Sequence, residues 1–162
     1  MENHKTHEKI NDNILDHDPF MIHTVAVNRL VDEWEKYGQL IVAYDYDNTV
    51  FDYYGKGYTF NKVIQILRDC KKLGFHLTVF TSCNEDRFPE IKEYLKKNEI
   101  PYDSINETPD YIPFRGRKVY YNILLDDRAG LESAYDQLKS VLFIIKMKKI
   151  EKSMEKAQDI DF

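Results

Sequence analysis

The chain reads as an α/β fold on a mostly parallel sheet, and three observations carry that reading. Short apolar, β-branched runs alternate with amphipathic stretches of helical period, the pattern of βαβ units joined by right-handed crossovers. The runs LIVAYDYD and FHLTVF are dominated by apolar and β-branched residues, as strands buried on both faces are. The 162 residues are 43% hydrophobic and 14% aromatic, enough for one core of ordinary domain size and too much for wholesale disorder.

Residues 1–38 divide into a polar arm and a helix. The arm carries His4, His7, His17 and His23 among Asn, Asp and Lys. Their spacing matches no metal-ligand pattern, so a solvated or loosely docked segment is expected. Val27, Leu30, Val31 and Trp34 form one apolar stripe and predict a helix over 24–37, stopped at Gly38.

The core is expected over 39–145. Its first strand ends in Asp45 and Asp47, and a turn-rich stretch over 51–58 follows, with Gly55 and Gly57. Phe60, Val63, Ile64, Leu67 and Cys70 predict a helix over 59–73, capped by Gly74. A strand over 75–80 leads to a helix over 87–98, with Pro89 in its first turn and Phe88, Ile91 and Leu95 facing inward. A short strand over 102–105 and a Pro-containing loop come next. VYYNILL, residues 119–125, is a further strand ending in carboxylates. A helix over 129–139 and a last strand, VLFII over 141–145, complete the core. Residues 146–162 place Met147, Ile150 and Met154 at helical spacing among lysines, an ordinary surface helix or a tail.

Composition narrows the function classes. A net charge of −5 counts against holding long nucleic acid by phosphate neutralisation. Two cysteines, Cys70 and Cys83, exclude a disulfide-dense scaffold and a four-cysteine zinc module. The apolar run Val141–Ile145 is too short to span a bilayer, and the N-terminus has no apolar signal region. A cytoplasmic protein with no membrane partner is expected.

Ligands of an open parallel sheet bind outside the carboxyl ends of its strands. This chain puts Asp45, Asp47 and Thr49 at the first such end, Thr81 and Ser82 at the second, and Asp126 and Asp127 after the strand that Lys118 precedes. Asn106 closes the short strand, as a substrate contact or a turn former. Carboxylates this close repel one another. A hard divalent cation relieves the repulsion, and Mg²⁺ suits a site that shares its coordination with substrate phosphate. Asp126 and Asp127 also suit capping of the helix behind them. That reading does not serve Asp45 and Asp47, which a glycine-bearing turn follows.

At these residues the chain resembles the haloacid dehalogenase superfamily of phosphatases. YDYDNTV (residues 44–50) is similar to its first motif, hhhDxDxT, LTVFTS (77–82) to its second and ILLDDR (123–128) to its fourth. The resemblance implies a Rossmann-like three-layer sandwich of strand order 5-4-1-2-3 and a Mg²⁺ cofactor. It makes Asp45 the nucleophile of an aspartyl-phosphate mechanism and Asp47 the general acid and base, with its backbone carbonyl on the metal. Thr49 would orient Asp47, Thr81 and Ser82 would bind the phosphoryl group, and Asp126 and Asp127 would complete the metal site with Asp45. The family's third motif is a basic residue, for which Lys118 is the first candidate, with Arg115 and Arg117 close by.

Neither place where the family inserts a cap has room for one, so a capless member with an open site is expected, covered by a second subunit or by the N-terminal arm if by anything. The implied substrate is a small phosphorylated metabolite, a nucleotide by preference. A phosphorylated nucleic-acid end is an alternative that is not favoured. A non-catalytic phosphate- or nucleotide-binding protein is the alternative from another class. A receiver-like domain ranks last, because receivers place the acidic pair first and the phosphorylated Asp later. Tyr53, Tyr54 and Tyr58 are suited to stacking on a base, although loop packing is the favoured reading.

Overall fold

In the computed structural model, described here for residues 18–158, a four-stranded all-parallel sheet is ordered β3-β2-β1-β4. Helix α1 (His23–Tyr37) leads into β1 (Ile41–Tyr44); α2 (Asn61–Lys72) links β1 to β2 (His76–Val79). Helix α3 (Phe88–Lys97) links β2 to β3 (Ser104–Ile105), and β4 (Ile123–Leu125) precedes α4 (Leu131–Gln158). β1 lies in the middle, paired with β2 from Ile41 to Tyr44 and with β4 from Val42 to Tyr44. All four of its residues are buried, as a central parallel strand requires.

The pleat divides the core. Val42, Tyr44, Leu77, Val79, Ile123 and Leu125 join one buried cluster with the inner faces of all four helices. Thr78 and His76 sit on the alternate pleat positions. The Thr78 hydroxyl donates to Glu107 O (3.5 Å) and the His76 ring stands edge-on to Tyr111. Residues 106–122, which contain no helix, thus line the second face. The architecture fits a Rossmann-like sandwich in which an irregular segment supplies one outer layer.

Several expectations need correction. VLFII is not a strand: residues 141–145 lie inside α4, so the sheet has four strands and the expected 5-4-1-2-3 order lacks its fifth. The physical reason lies in the neighbours. Leu138, Val141, Leu142 and Ile145 are all buried at positions i, i+3, i+4 and i+7, a helical stripe that the unbroken apolar run conceals. No Gly or Pro occurs after Gly130 to end the helix. The boundary expected between 145 and 146 therefore falls within one continuous helix. VYYNILL shortens to three strand residues, because the Asn122 amide takes over edge bonding: its Oδ1 accepts from Ile41 N–H (2.7 Å) and its Nδ2 donates to Glu33 (2.8 Å). Phe60 is not a helical inner-face residue but the N-cap of α2, in a left-handed conformation with φ 49°. His4, His7 and His17 lie outside the described residues. His23 begins α1, with its ring 3.4 Å from the Ser140 hydroxyl.

Candidate active site

Three strand ends build the site. Asp45 extends the ladder one residue beyond β1, its N–H donating to Leu125 O (2.9 Å), and this sets its carboxylate on the rim. The chain then turns sharply. Tyr46 is buried, stacks on Phe51 at 4.9 Å and meets Tyr94 edge-on. The Tyr94 hydroxyl donates to Val50 O (3.1 Å). Asn48 holds the turn with φ 56°, the left-handed region that Asn tolerates better than most residues.

At the end of β4, Asp126 accepts the Arg128 N–H on Oδ1 (2.8 Å), so part of its carboxylate does serve the turn before α4. It also joins a cluster of carboxylates. One oxygen from each of Asp45, Asp126 and Asp127 lies within 4.8 Å of the others. The cavity in front of them, about 270 Å³, is also lined by Asp47, Thr81, Ser82 and Arg128.

The electrostatics are lopsided. Burial is the main force pushing the Asp45 carboxyl from its ordinary 3.8 up to about 7; a hydrogen bond from the Tyr46 N–H opposes it, and Asp126, Asp127 and Asp47 add to it. Asp47 is raised too, again chiefly by burial, with Arg87 and Arg128 pulling the other way. Its Oδ1 is buried with no hydrogen-bond partner among the described residues, and its Oδ2 faces the Cys83 thiol at 4.0 Å. Three converging carboxylates and an excess of negative charge form the donor set of a hard divalent cation. The residues fit Mg²⁺. Asp47 is not in the cluster of three; its side chain points along the cavity wall instead.

Other site residues do different work from that expected. Thr49 is fully buried, and its hydroxyl accepts the Asp127 N–H (3.2 Å). It binds the two carboxylate loops to each other rather than orienting Asp47. Asn106 does not line the cavity. Its amide pairs with both backbone groups of Thr81, Oδ1 accepting from the N–H (2.9 Å) and Nδ2 donating to the C=O (2.6 Å). It props the Thr81 loop from behind the cavity wall. Thr81 itself accepts the Cys83 N–H on Oγ1 (3.2 Å); Ser82 is exposed on the cavity wall.

The expected basic residues miss the cavity. The Lys118 ammonium stands 5.7 Å from the centre of the Tyr121 ring. Arg115 donates to Pro109 O and Asp110 O and shares a separate hollow with Arg117. Among the described residues the one cation on the cavity wall is Arg128, which sequence reasoning passed over. The signal was its place directly behind the acidic pair. Tyr53, Tyr54 and Tyr58 are exposed and lie off the cavity wall, whereas Phe80 lines it, 6.1 Å from the Tyr121 ring.

No protein-family model matches this chain, and no curated protein does. A solved structure of a conserved protein from Bacteroides thetaiotaomicron is similar in fold, with a TM-score of 0.52 at 18% identity. The similarity covers 63% of this chain and 91% of that one.

Proposed function

We propose that the chain is a Mg²⁺-dependent phosphomonoester hydrolase of the haloacid dehalogenase type, acting through an aspartyl-phosphate on Asp45. The observation that carries the reading is the convergence of Asp45, Asp126 and Asp127 within 4.8 Å, from two strand ends at which the motifs of that superfamily were read. The neighbouring order β4-β1-β2-β3 supports it, being the superfamily order without its fifth strand. So does the shortness of the connections: a ten-residue turn from 51 to 60 and, between 83 and 118, one helix, one short strand and a loop. Connections this short favour a capless member.

Asp126 and Asp127 with Asp45 would hold the ion, which supplies charge neutralisation at the phosphoryl oxygens and keeps the ester against Asp45. The chemistry belongs to the two aspartates of the first motif. An Asp45 oxygen attacks phosphorus while the P–O bond to the leaving group breaks. Asp47, its acid form favoured by burial, gives its proton to the departing oxygen. Water then attacks the phosphoryl group, Asp47 takes up the proton, and the bond to Asp45 breaks to release phosphate. Arg128 is the cation placed to bind a substrate oxygen from the cavity wall. Phe80, the aromatic residue on the cavity wall, suits a substrate with a flat apolar part, such as a nucleotide.

The test is hydrolysis of p-nitrophenyl phosphate with Mg²⁺. Activity should vanish with EDTA and in Asp45→Asn, and acid quenching should trap a phosphorylated chain in wild type only. Full activity in Asp45→Asn sinks the proposal. Ligand-induced stabilisation with no turnover in wild type would instead assign a phosphate-binding protein.

A further inference from the structure

Past Ile145, the last side chain that α4 buries completely, the helix runs on to Gln158, roughly 20 Å at about 1.5 Å per residue. Lys148 ties its start to α1 through Glu35 (2.7 Å). The buried stripe has by then given way to another. Phe143, Met147, Ile150 and Met154 are exposed by 65%, 42%, 53% and 61%, and Ala157, also exposed, continues their line. Phe143 and Ile145 lie about 200° apart around the axis, at about 100° per residue, so this second stripe faces away from the core.

Its spacing is 4, 3, 4 and 3 residues, the a/d repeat of a coiled coil. Lysines and glutamates border it: Lys146, Lys149, Glu151 and Lys152 interrupt the apolar residues. A line this narrow has the shape of a coiled-coil seam about two heptads long; a helix lying in a membrane interface needs a broader apolar face.

We infer that this seam pairs two copies of the chain through a parallel two-helix contact between the free ends of α4. Charge complementarity selects the occupant and its direction. With Met147 at an a position, Lys146 is at g and Glu151 at the following e, the two positions that meet across a parallel pair. Each copy therefore offers the cation that the other's glutamate needs, twice over by symmetry. The seam begins at the edge of a groove of about 510 Å³ between α2 and α4, walled by Ile66, Leu142 and Phe143. About two heptads bury little area, so the dimer is a weak one. This inference is independent of the proposed hydrolysis, because the seam lies at the far end of α4 from Asp126 and Asp127.

Sedimentation equilibrium of the full chain from about 5 to about 500 µM tests it, since a dimer of this kind is populated by mass action. A reversible monomer–dimer equilibrium is expected. Ile150→Glu with Met154→Glu should raise Kd by at least about tenfold while leaving the circular dichroism spectrum and melting temperature unchanged, because both side chains are exposed. Lys146→Glu alone should weaken the dimer, and adding Glu151→Lys should restore it. A monomer at the highest concentration overturns the proposal, as does a dimer that Ile150→Glu and Met154→Glu leave intact. A chain that stays monomeric but binds phosphatidylserine vesicles through Ile150 assigns the seam to a membrane surface and overturns it equally. Failure of the charge swap to restore pairing overturns the parallel register.

Discussion

The groove between α2 and α4 is nearly twice the size of the cavity on the strand rim, about 510 against about 270 Å³. The larger hollow is walled by Ile66, Leu142 and Phe143 and by the long side chains of Lys62, Lys139 and Lys146. Nothing in it converges on a point. The smaller one gathers Asp45, Asp47, Asp126 and Asp127, with Asp45 held far from its ordinary ionisation by burial and its neighbours. Volume is a poor guide to chemistry in this molecule. Converging charge held partly out of water is the better one, because folding alone gives no return for assembling it.

Five substitutions and one titration probe that contrast. Asp45→Asn should lower the hydrolysis rate by about 10³-fold or more, whereas Lys62→Ala in the larger groove should leave it within about twofold. Steady-state kinetics on p-nitrophenyl phosphate would break the comparison if the two variants behaved alike. Asn106→Ala removes both partners of the Thr81 backbone and should cost about 1–3 kcal/mol of stability, read as a lower urea midpoint. Arg128→Ala should raise KM by about tenfold, as loss of a charge-assisted hydrogen bond does. Lys118→Ala, off the cavity wall, should change it far less; the reverse ranking would restore Lys118 to the third-motif role.

A pH dependence follows from the same carboxylates. The folded-state value of Asp45, about 7, lies above its ordinary 3.8, so the folded chain holds this proton more tightly than the unfolded one. Without metal, stability from this group is therefore greatest at acid pH and falls as pH rises between about 4 and 7. Asp45→Asn should flatten that slope. Since the ion needs the ionised carboxylate, the melting-temperature gain from Mg²⁺ should be larger at about pH 8 than at about pH 5. A gain independent of pH would separate the ion from Asp45.

Helices α1, α2 and α3 and the strands β1 and β2 were legible because each announces itself within a few residues, by stripe and by stop signal. The same reasoning misread residues 141–145. Five consecutive apolar residues satisfy a buried strand and a buried helix alike, and here the partners Leu138 and Ile145, both buried against the body, decide for the helix. Asp45, Asp126 and Asp127 were placed correctly on one rim, since a parallel sheet sends every strand end to the same edge.

The roles of Thr49, Asn106 and the cations were not legible. Each depends on a contact between distant parts of the chain: Thr49 with Asp127, Asn106 with Thr81. Local periodicity and the end of a strand are properties of neighbouring residues, so the α/β pattern and the acidic rim could be read from the amino acids in order. Which loop ties to which, and whether Arg128 or Lys118 reaches the cavity, depends on side-chain directions that exist only once the strands have paired. That is why the acidic rim is legible in the sequence and the place of Arg128 on the cavity wall is not.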